Sequence, residues 1–116
     1  MVVTVVGTDD FAVWFAALDP DGREDVATAI DLLEARGLAL GYPRSSAIKG
    51  ASFAVRELRI QSQGRPLRVF YAFDPARQAV VLIGGDKTGD ARFYERMIPV
   101  ADRIWKEHLD ETAQME

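Results

Sequence analysis

The sequence predicts an α+β fold: an antiparallel sheet with an N-terminal helical hairpin packed on it and a C-terminal helix. Three observations carry this. Apolar residues recur at helical spacing through the first third of the chain, three β-rich segments then follow one another across short turn-forming links, and helical spacing returns from Phe93 onward. At 116 residues, 48% of them apolar, the chain is long enough for one domain that buries roughly two-thirds of its unfolded surface. That domain is expected over residues 1–110, with a frayed tail at 111–116.

Residues 2–6 are a β-branched run that reads as a strand, and Thr8, Asp9 and Asp10 after Gly7 are suited to capping a helix. Phe11, Trp14, Phe15 and Leu18 keep three- and four-residue intervals up to the turn chemistry of Asp19-Pro20-Asp21-Gly22, where one helix ends and another starts. In the second, Val26, Ala29, Ile30 and Leu33 form the apolar stripe, Glu24, Asp25, Asp31 and Glu34 face outward, and Gly37 is a plausible C-terminal cap. Residues 41–51, rich in glycine, serine and proline, read as an irregular surface connection.

The β signals cover residues 53–61, 65–73 and 79–84, and their short links favour a consecutive antiparallel meander. Alternation places Leu58 and Ile60 opposite Glu57, Arg59 and Gln61, and Leu67, Val69, Tyr71 and Phe73 opposite Arg68 and Phe70. One face therefore packs on helices while the other presents Glu57, Arg59 and Arg68. The run Val80-Val81-Leu82-Ile83 is apolar throughout and suits a central strand. Thr88 or Asp90 can cap the final helix, whose stripe runs through Phe93, Met97, Ala101, Ile104, Trp105 and Leu109, with a kink or restart expected at Pro99.

Composition excludes several chemistries. Without cysteine there is no disulfide framework, thiol nucleophile or cysteine-ligated zinc, and His108 as the lone histidine disfavours a catalytic triad or a histidine-rich metal site. No apolar run reaches the ~18 residues of a membrane span, and the N-terminus lacks the basic flank of a signal peptide, so a cytoplasmic protein is expected. The net charge of -4 hides an uneven distribution: residues 42–96 carry ten Arg and Lys against five Asp and Glu, and the rest carries four against thirteen. The middle is basic and the ends acidic.

Strand parity can bring Glu57, Arg59, Arg68 and Lys87 to one face or its rim. Guanidinium groups bind phosphate oxygens with fork geometry, and a carboxylate can take a proton from an attacking hydroxyl, so the set suits phosphodiester chemistry. Arg44 or Lys49 would extend the cationic track. The plainer alternative is a set of cross-strand salt bridges on a solvated face. Gly84-Gly85-Asp86-Lys87-Thr88-Gly89 superficially matches a phosphate loop, but Asp86 stands where the Walker pattern needs glycine, and the glycines alternatively permit a tight strand-to-helix turn. Tyr94, one turn into the last helix, can bring a phenol toward the sheet for stacking or proton transfer, or can simply be core. His108, Trp14, Phe15 and Trp105 read as structural.

The phrases Glu57-Leu58-Arg59-Ile60, Arg68-Val69-Phe70-Tyr71-Ala72-Phe73 and Val81-Leu82-Ile83-Gly84-Gly85-Asp86-Lys87-Thr88-Gly89-Asp90, followed by Arg92-Phe93-Tyr94-Glu95-Arg96, resemble the HigB-like, phage-derived branch of the RelE/ParE toxin superfamily. The resemblance extends over nearly the whole chain. It implies the RelE-like fold and a ribosome-dependent messenger RNA endonuclease of a type II toxin–antitoxin system that needs no metal or cofactor. In that reaction the ribose 2′-hydroxyl attacks the adjacent phosphate. It further implies phosphate and transition-state roles for Arg59 and Arg68, phosphate binding or proton transfer for Lys87, and a base role for Glu57 or Tyr94. Arg44, Lys49, Arg56, Arg65 and Arg92 are the accompanying candidates for RNA contact. The implied partners are a helix-turn-helix antitoxin, through which alone DNA would be met, and the ribosome with its messenger. Two features depart from this pattern: the overall acidity, and the absence of histidine near the expected site. The rival is a non-enzymatic protein-binding module of the same fold that docks an antitoxin or gyrase.

Overall fold

The computed structural model describes residues 2–114. Strand β1 (Val5–Gly7) leads into helices α1 (Asp9–Ala16) and α2 (Pro20–Arg36), and strands β2 (Ser45–Ala47), β3 (Arg56–Ser62), β4 (Arg65–Phe73) and β5 (Ala79–Asp86) precede helix α3 (Phe93–Gln114). The five strands form one mixed sheet in the order β1-β5-β4-β3-β2, parallel between β1 and β5 and antiparallel elsewhere. The α+β architecture and the β3-β4-β5 meander are as predicted.

The helix ends follow from local chemistry. The Thr8 hydroxyl accepts the Phe11 N–H at 3.0 Å, and Asp19, with Pro20 in the first turn behind it, accepts the Gly22 N–H at 2.9 Å. Each satisfies a backbone donor that a helix start leaves free. Gly37, at φ 54°, closes α2 by donating its N–H to the Leu33 carbonyl.

Each face of the sheet carries its own core. Leu58, Ile60, Leu67, Val69, Tyr71 and Val81 meet Phe11, Val26 and Leu33 of α1 and α2. On the other face Phe70, Ala72, Val80 and Leu82 meet the α3 stripe of Phe93, Met97, Ala101, Ile104 and Trp105. Each large side chain so buried contributes roughly 1.5–3 kcal/mol relative to exposure. The polar face read from the alternation is thus only partly open, because α3 covers its β5 side. Over β3 and the start of β4 only the first turn of α3 reaches across, and Glu57, Arg59 and Arg68 lie there.

Several boundaries differ from the sequence reading. The β signal at 53–55 lies outside β3, and the first strand begins at Val5 and ends at Gly7. The connection after α2 supplies β2, a three-residue edge strand whose Ser45-Ser46-Ala47 has little strand propensity and is held by pairing with residues 56–58. Helix α3 runs through Pro99 without interruption and continues past Leu109 to Gln114; the last two residues of the expected tail lie outside the described residues. Among the described residues no helix is long and apolar enough to cross a membrane.

Gly84 and Gly85 are not in a turn but inside β5, just past an irregularity in the β4-β5 register at Phe70/Tyr71. A Cβ on Gly84 would come within 2.3 Å of the Trp14 ring, and one on Gly85 within 2.7 Å of the Phe93 ring. The pair lets one aromatic press on each face of the strand. Gly84→Ala must displace the indole, so it is expected to lower stability by about 1–3 kcal/mol. The check is a lowered urea midpoint at an unchanged denaturant slope.

Candidate active site

Register explains how the polar group assembles. Glu57 and Arg59 are two residues apart on β3 and so share a face, while Arg59 pairs directly with Arg68 of β4. Side by side, two guanidinium groups would repel each other. The Glu57 carboxylate lies between them: Arg59 Nη1 stands 3.4 Å from Oε2 and Arg68 Nε 3.4 Å from Oε1. From the first turn of α3, the Tyr94 hydroxyl donates to Oε1 at 2.6 Å.

Burial differs sharply within this cluster. The side chains of Glu57 and Arg68 are 4% and 7% exposed, whereas that of Arg59 is 31% exposed. Arg68 Nη1 donates to its neighbour's carbonyl, that of Leu67, at 3.0 Å, but its Nε has no hydrogen bond of good geometry. Lys87 follows the end of β5, where its N–H bonds the Pro66 carbonyl and the Asp86–Thr88 turn fixes the chain beside it. Its ammonium lies 5.1 Å from the centre of the Tyr94 ring. Glu57, Arg59, Arg68, Lys87 and Tyr94 therefore converge, and two arginines share one carboxylate.

The Tyr94 hydroxyl is held above the ordinary phenol range, first by burial and then by the Glu57 carboxylate it bonds, with Arg68 opposing in part. It is a proton donor, not an oxyanion, at neutral pH. Phe70 and Phe93 meet its ring edge-on and fix its direction.

A groove of about 1060 Å³ opens beside the cluster at the β3 edge of the sheet. One wall is α2, with Asp25, Asp31 and Arg36; the other includes Arg44, Arg59 and Arg68. Arg44 is set beside Arg59 because its carbonyl accepts the Arg59 N–H at 2.9 Å.

The remaining cations separate from the cluster. Arg56 and Arg65 project from the opposite face, where Arg56 Nε donates to the buried Ser45 hydroxyl and Arg65 pairs with Asp19 at 2.8 Å. Lys49 is exposed beyond β2, and Arg92 is exposed just before α3. His108 stands at the other end of β4, 3.2 Å from the buried Asp74 carboxylate. Sequence reasoning missed Tyr42, which is 77% exposed and has the Arg59 guanidinium 5.6 Å from its ring centre. It also missed Ser46, paired in register with Glu57. The available signal for Tyr42 was an aromatic in a polar segment with no apolar partner at strand or helix spacing. Among the described residues no three His, Cys, Asp or Glu come together as a metal site.

The family described as "Phage derived protein Gp49-like" matches residues 13–106, a stretch that contains every member of the cluster. The chain is 46% identical over 92 residues to "Putative toxin HigB3" of Mycobacterium tuberculosis (strain ATCC 25618 / H37Rv), covering 78% of this chain and 79% of that protein. It is 42% identical over 101 residues to "Putative toxin HigB2" of the same organism, covering 84% of this chain but 50% of the relative.

Two outcomes follow from the geometry. Glu57→Gln leaves Arg68 buried without its counter-charge and should cost about 3–5 kcal/mol, against less than about 1 kcal/mol for Arg103→Ala in the exposed Arg103–Glu107 pair; paired urea titrations read the difference. Tyr94 holds its proton more tightly folded than unfolded, so its stabilising contribution is intact below the ordinary phenol pKa of 10.0 and is lost as pH rises through the higher native value. The stability difference between wild type and Tyr94→Phe should therefore be flat below that pH and shrink above it.

Proposed function

The chain belongs to the phage-derived Gp49-like family, the HigB-like branch its sequence resembles, and from that membership and its buried cluster we propose that it is the toxin of a toxin–antitoxin pair. Its activity is metal-independent cleavage of messenger RNA on the ribosome, and its partner is a helix-turn-helix antitoxin. The single observation that carries this reading is the convergence of Arg59, Arg68 and Tyr94 on one carboxylate, with Lys87 against the Tyr94 ring, beside an open groove.

In the proposed reaction, the scissile phosphate binds between Arg59, Arg68 and Lys87. Arg59 turns from Glu57 to a non-bridging oxygen, which leaves Oε2 free as an acceptor. The ribose 2′-oxygen attacks phosphorus while its proton passes to the Tyr94 hydroxyl, and the Tyr94 proton passes to Glu57 through the existing 2.6 Å hydrogen bond. Because the phenol never has to exist as a free phenolate, its raised pKa does not oppose the relay. The bond from phosphorus to the 5′-oxygen breaks, and Lys87 donates a proton to that oxygen. The products are a 2′,3′-cyclic phosphate and a 5′-hydroxyl end, with Glu57 protonated and Lys87 neutral. The guanidinium groups stabilise the charge that builds on the phosphorane oxygens.

The burial of Glu57 and Arg68 favours a second reading, in which the cluster is a structural lock and the fold serves as a non-enzymatic binding module. The experiment that separates them is induction of wild type and Arg59→Ala in bacteria, with mapping of new 5′-hydroxyl RNA ends. The Arg59 side chain is 31% exposed and bears on the core less than Arg68 does, so the variant is expected to keep its fold, which its urea midpoint verifies. Cleavage should fall roughly 10²–10³-fold. Growth arrest without new 5′-hydroxyl ends supports the binding module instead, and ends undiminished in the variant remove Arg59 from the mechanism.

A further inference from the structure

The aromatic ring nearest the cluster's mouth has no core to belong to. Tyr42 is 77% exposed, yet the backbone around it is held in place: the Gly41 carbonyl accepts the N–H groups of both Arg44 and Ser45, at 3.1 and 3.0 Å, and the Arg44 carbonyl accepts the N–H of Arg59 of β3. The segment between α2 and β2 is thus a tight turn fastened to the strand that carries the cluster. The residues after Tyr42, Pro43 and Arg44, line the groove into which Arg59 and Arg68 open. On its inner side the ring meets the Arg59 guanidinium, 5.6 Å from its centre. Most of the ring surface remains open to a second planar group.

An exposed aromatic on a hydrogen-bonded turn, next to a row of guanidinium groups, suits single-stranded nucleic acid. Bases stack on aromatic rings while phosphates meet cations, and every base presents a π-face. We propose that Tyr42 is the base-stacking residue of this site, holding the nucleobase next to the scissile phosphate between its ring and solvent while Arg59 takes the phosphate. This rests on the RNA-cleavage reading given above. Tyr42 contributes no proton and no charge to the reaction, so its effect falls on substrate binding and not on the chemical step.

The test uses the full chain in a translation extract programmed with a defined messenger, following the appearance of new 5′-hydroxyl ends against toxin concentration. Tyr42→Ala should raise the concentration for half-maximal rate roughly 10-fold with the maximal rate preserved. Tyr42→Phe should restore the lost affinity, because the stack needs the ring and not the hydroxyl, whereas Tyr42→Leu should not. A messenger with an abasic nucleotide beside the cleaved bond should bring wild type down to the level of Tyr42→Ala. If Tyr42→Ala instead lowers the maximal rate at unchanged affinity, the ring acts only by steering Arg59 and the stacking role is wrong. Unchanged kinetics in Tyr42→Ala likewise overturn it. Absence of new ends with wild type overturns the cleavage reading itself, a failure visible before any variant is compared.

Discussion

The arrangement depends on one buried carboxylate. Arg59 and Arg68 are cross-strand partners, and like charges opposed in a sheet repel. Glu57 removes that cost by standing on the same face, two residues from Arg59, and reaching both guanidinium groups. The same carboxylate accepts the Tyr94 hydroxyl, so it also ties the first turn of α3 to β3, a strand that α3 otherwise hardly touches. A buried charge pair is weak evidence for net stability, since desolvation offsets much of the attraction. What the pair does specify is geometry: it sets where Arg59, Tyr94 and, through the Tyr94 ring, Lys87 can stand.

Burial grades the cluster into fixed and mobile members. Glu57 and Arg68 have almost no contact with water and cannot turn without exposing an unpaired charge. Arg59 and Lys87 are only half-buried, and each is held by a long ion pair or a ring face, contacts that a phosphate can replace. On the proposed reaction path this division is useful. The groups that must hold position are locked, and those that must engage and release a charged substrate are loosely tethered.

Local chemistry was legible in the sequence wherever a few neighbouring residues decide the outcome. The caps at Thr8, Asp19 and Gly37 required only their own turns, and the parity of residues 57–61 and 66–70 placed Glu57, Arg59 and Arg68 on one face. The same parity puts Arg56 and Arg65 on the opposite face; grouping them with the site weighed charge above alternation, and the structure engages them with Ser45 and Asp19 instead. Strand β2 was illegible because Ser45-Ser46-Ala47 gains its conformation from β3, not from its own propensities. The roles of Gly84 and Gly85 depend on Trp14 and Phe93, each from a different helix, so no window of sequence around the glycines contains the reason for them. The Tyr94–Glu57 bond is of the same kind, joining residues 37 apart.

The acidic composition is compatible with a polyanionic substrate once position replaces the sum. Electrostatic attraction at a site is set by the charges within about a Debye length, roughly 8 Å at physiological salt, and by how well they are shielded from water. Near the cluster, Glu57 is spent on two arginines, and Asp86 and Asp90 are turned toward Thr88 and Arg96. The carboxylates that do face the groove, Asp25 and Asp31, belong to α2, across from the Arg44–Arg59 wall. The Arg44–Arg59 wall is cationic, whereas the α2 wall sets two carboxylates against the single cation Arg36. On the proposed function, a phosphate chain would be drawn toward the sheet side, where Arg44, Arg59 and Arg68 stand, with the carboxylates of α2 opposite.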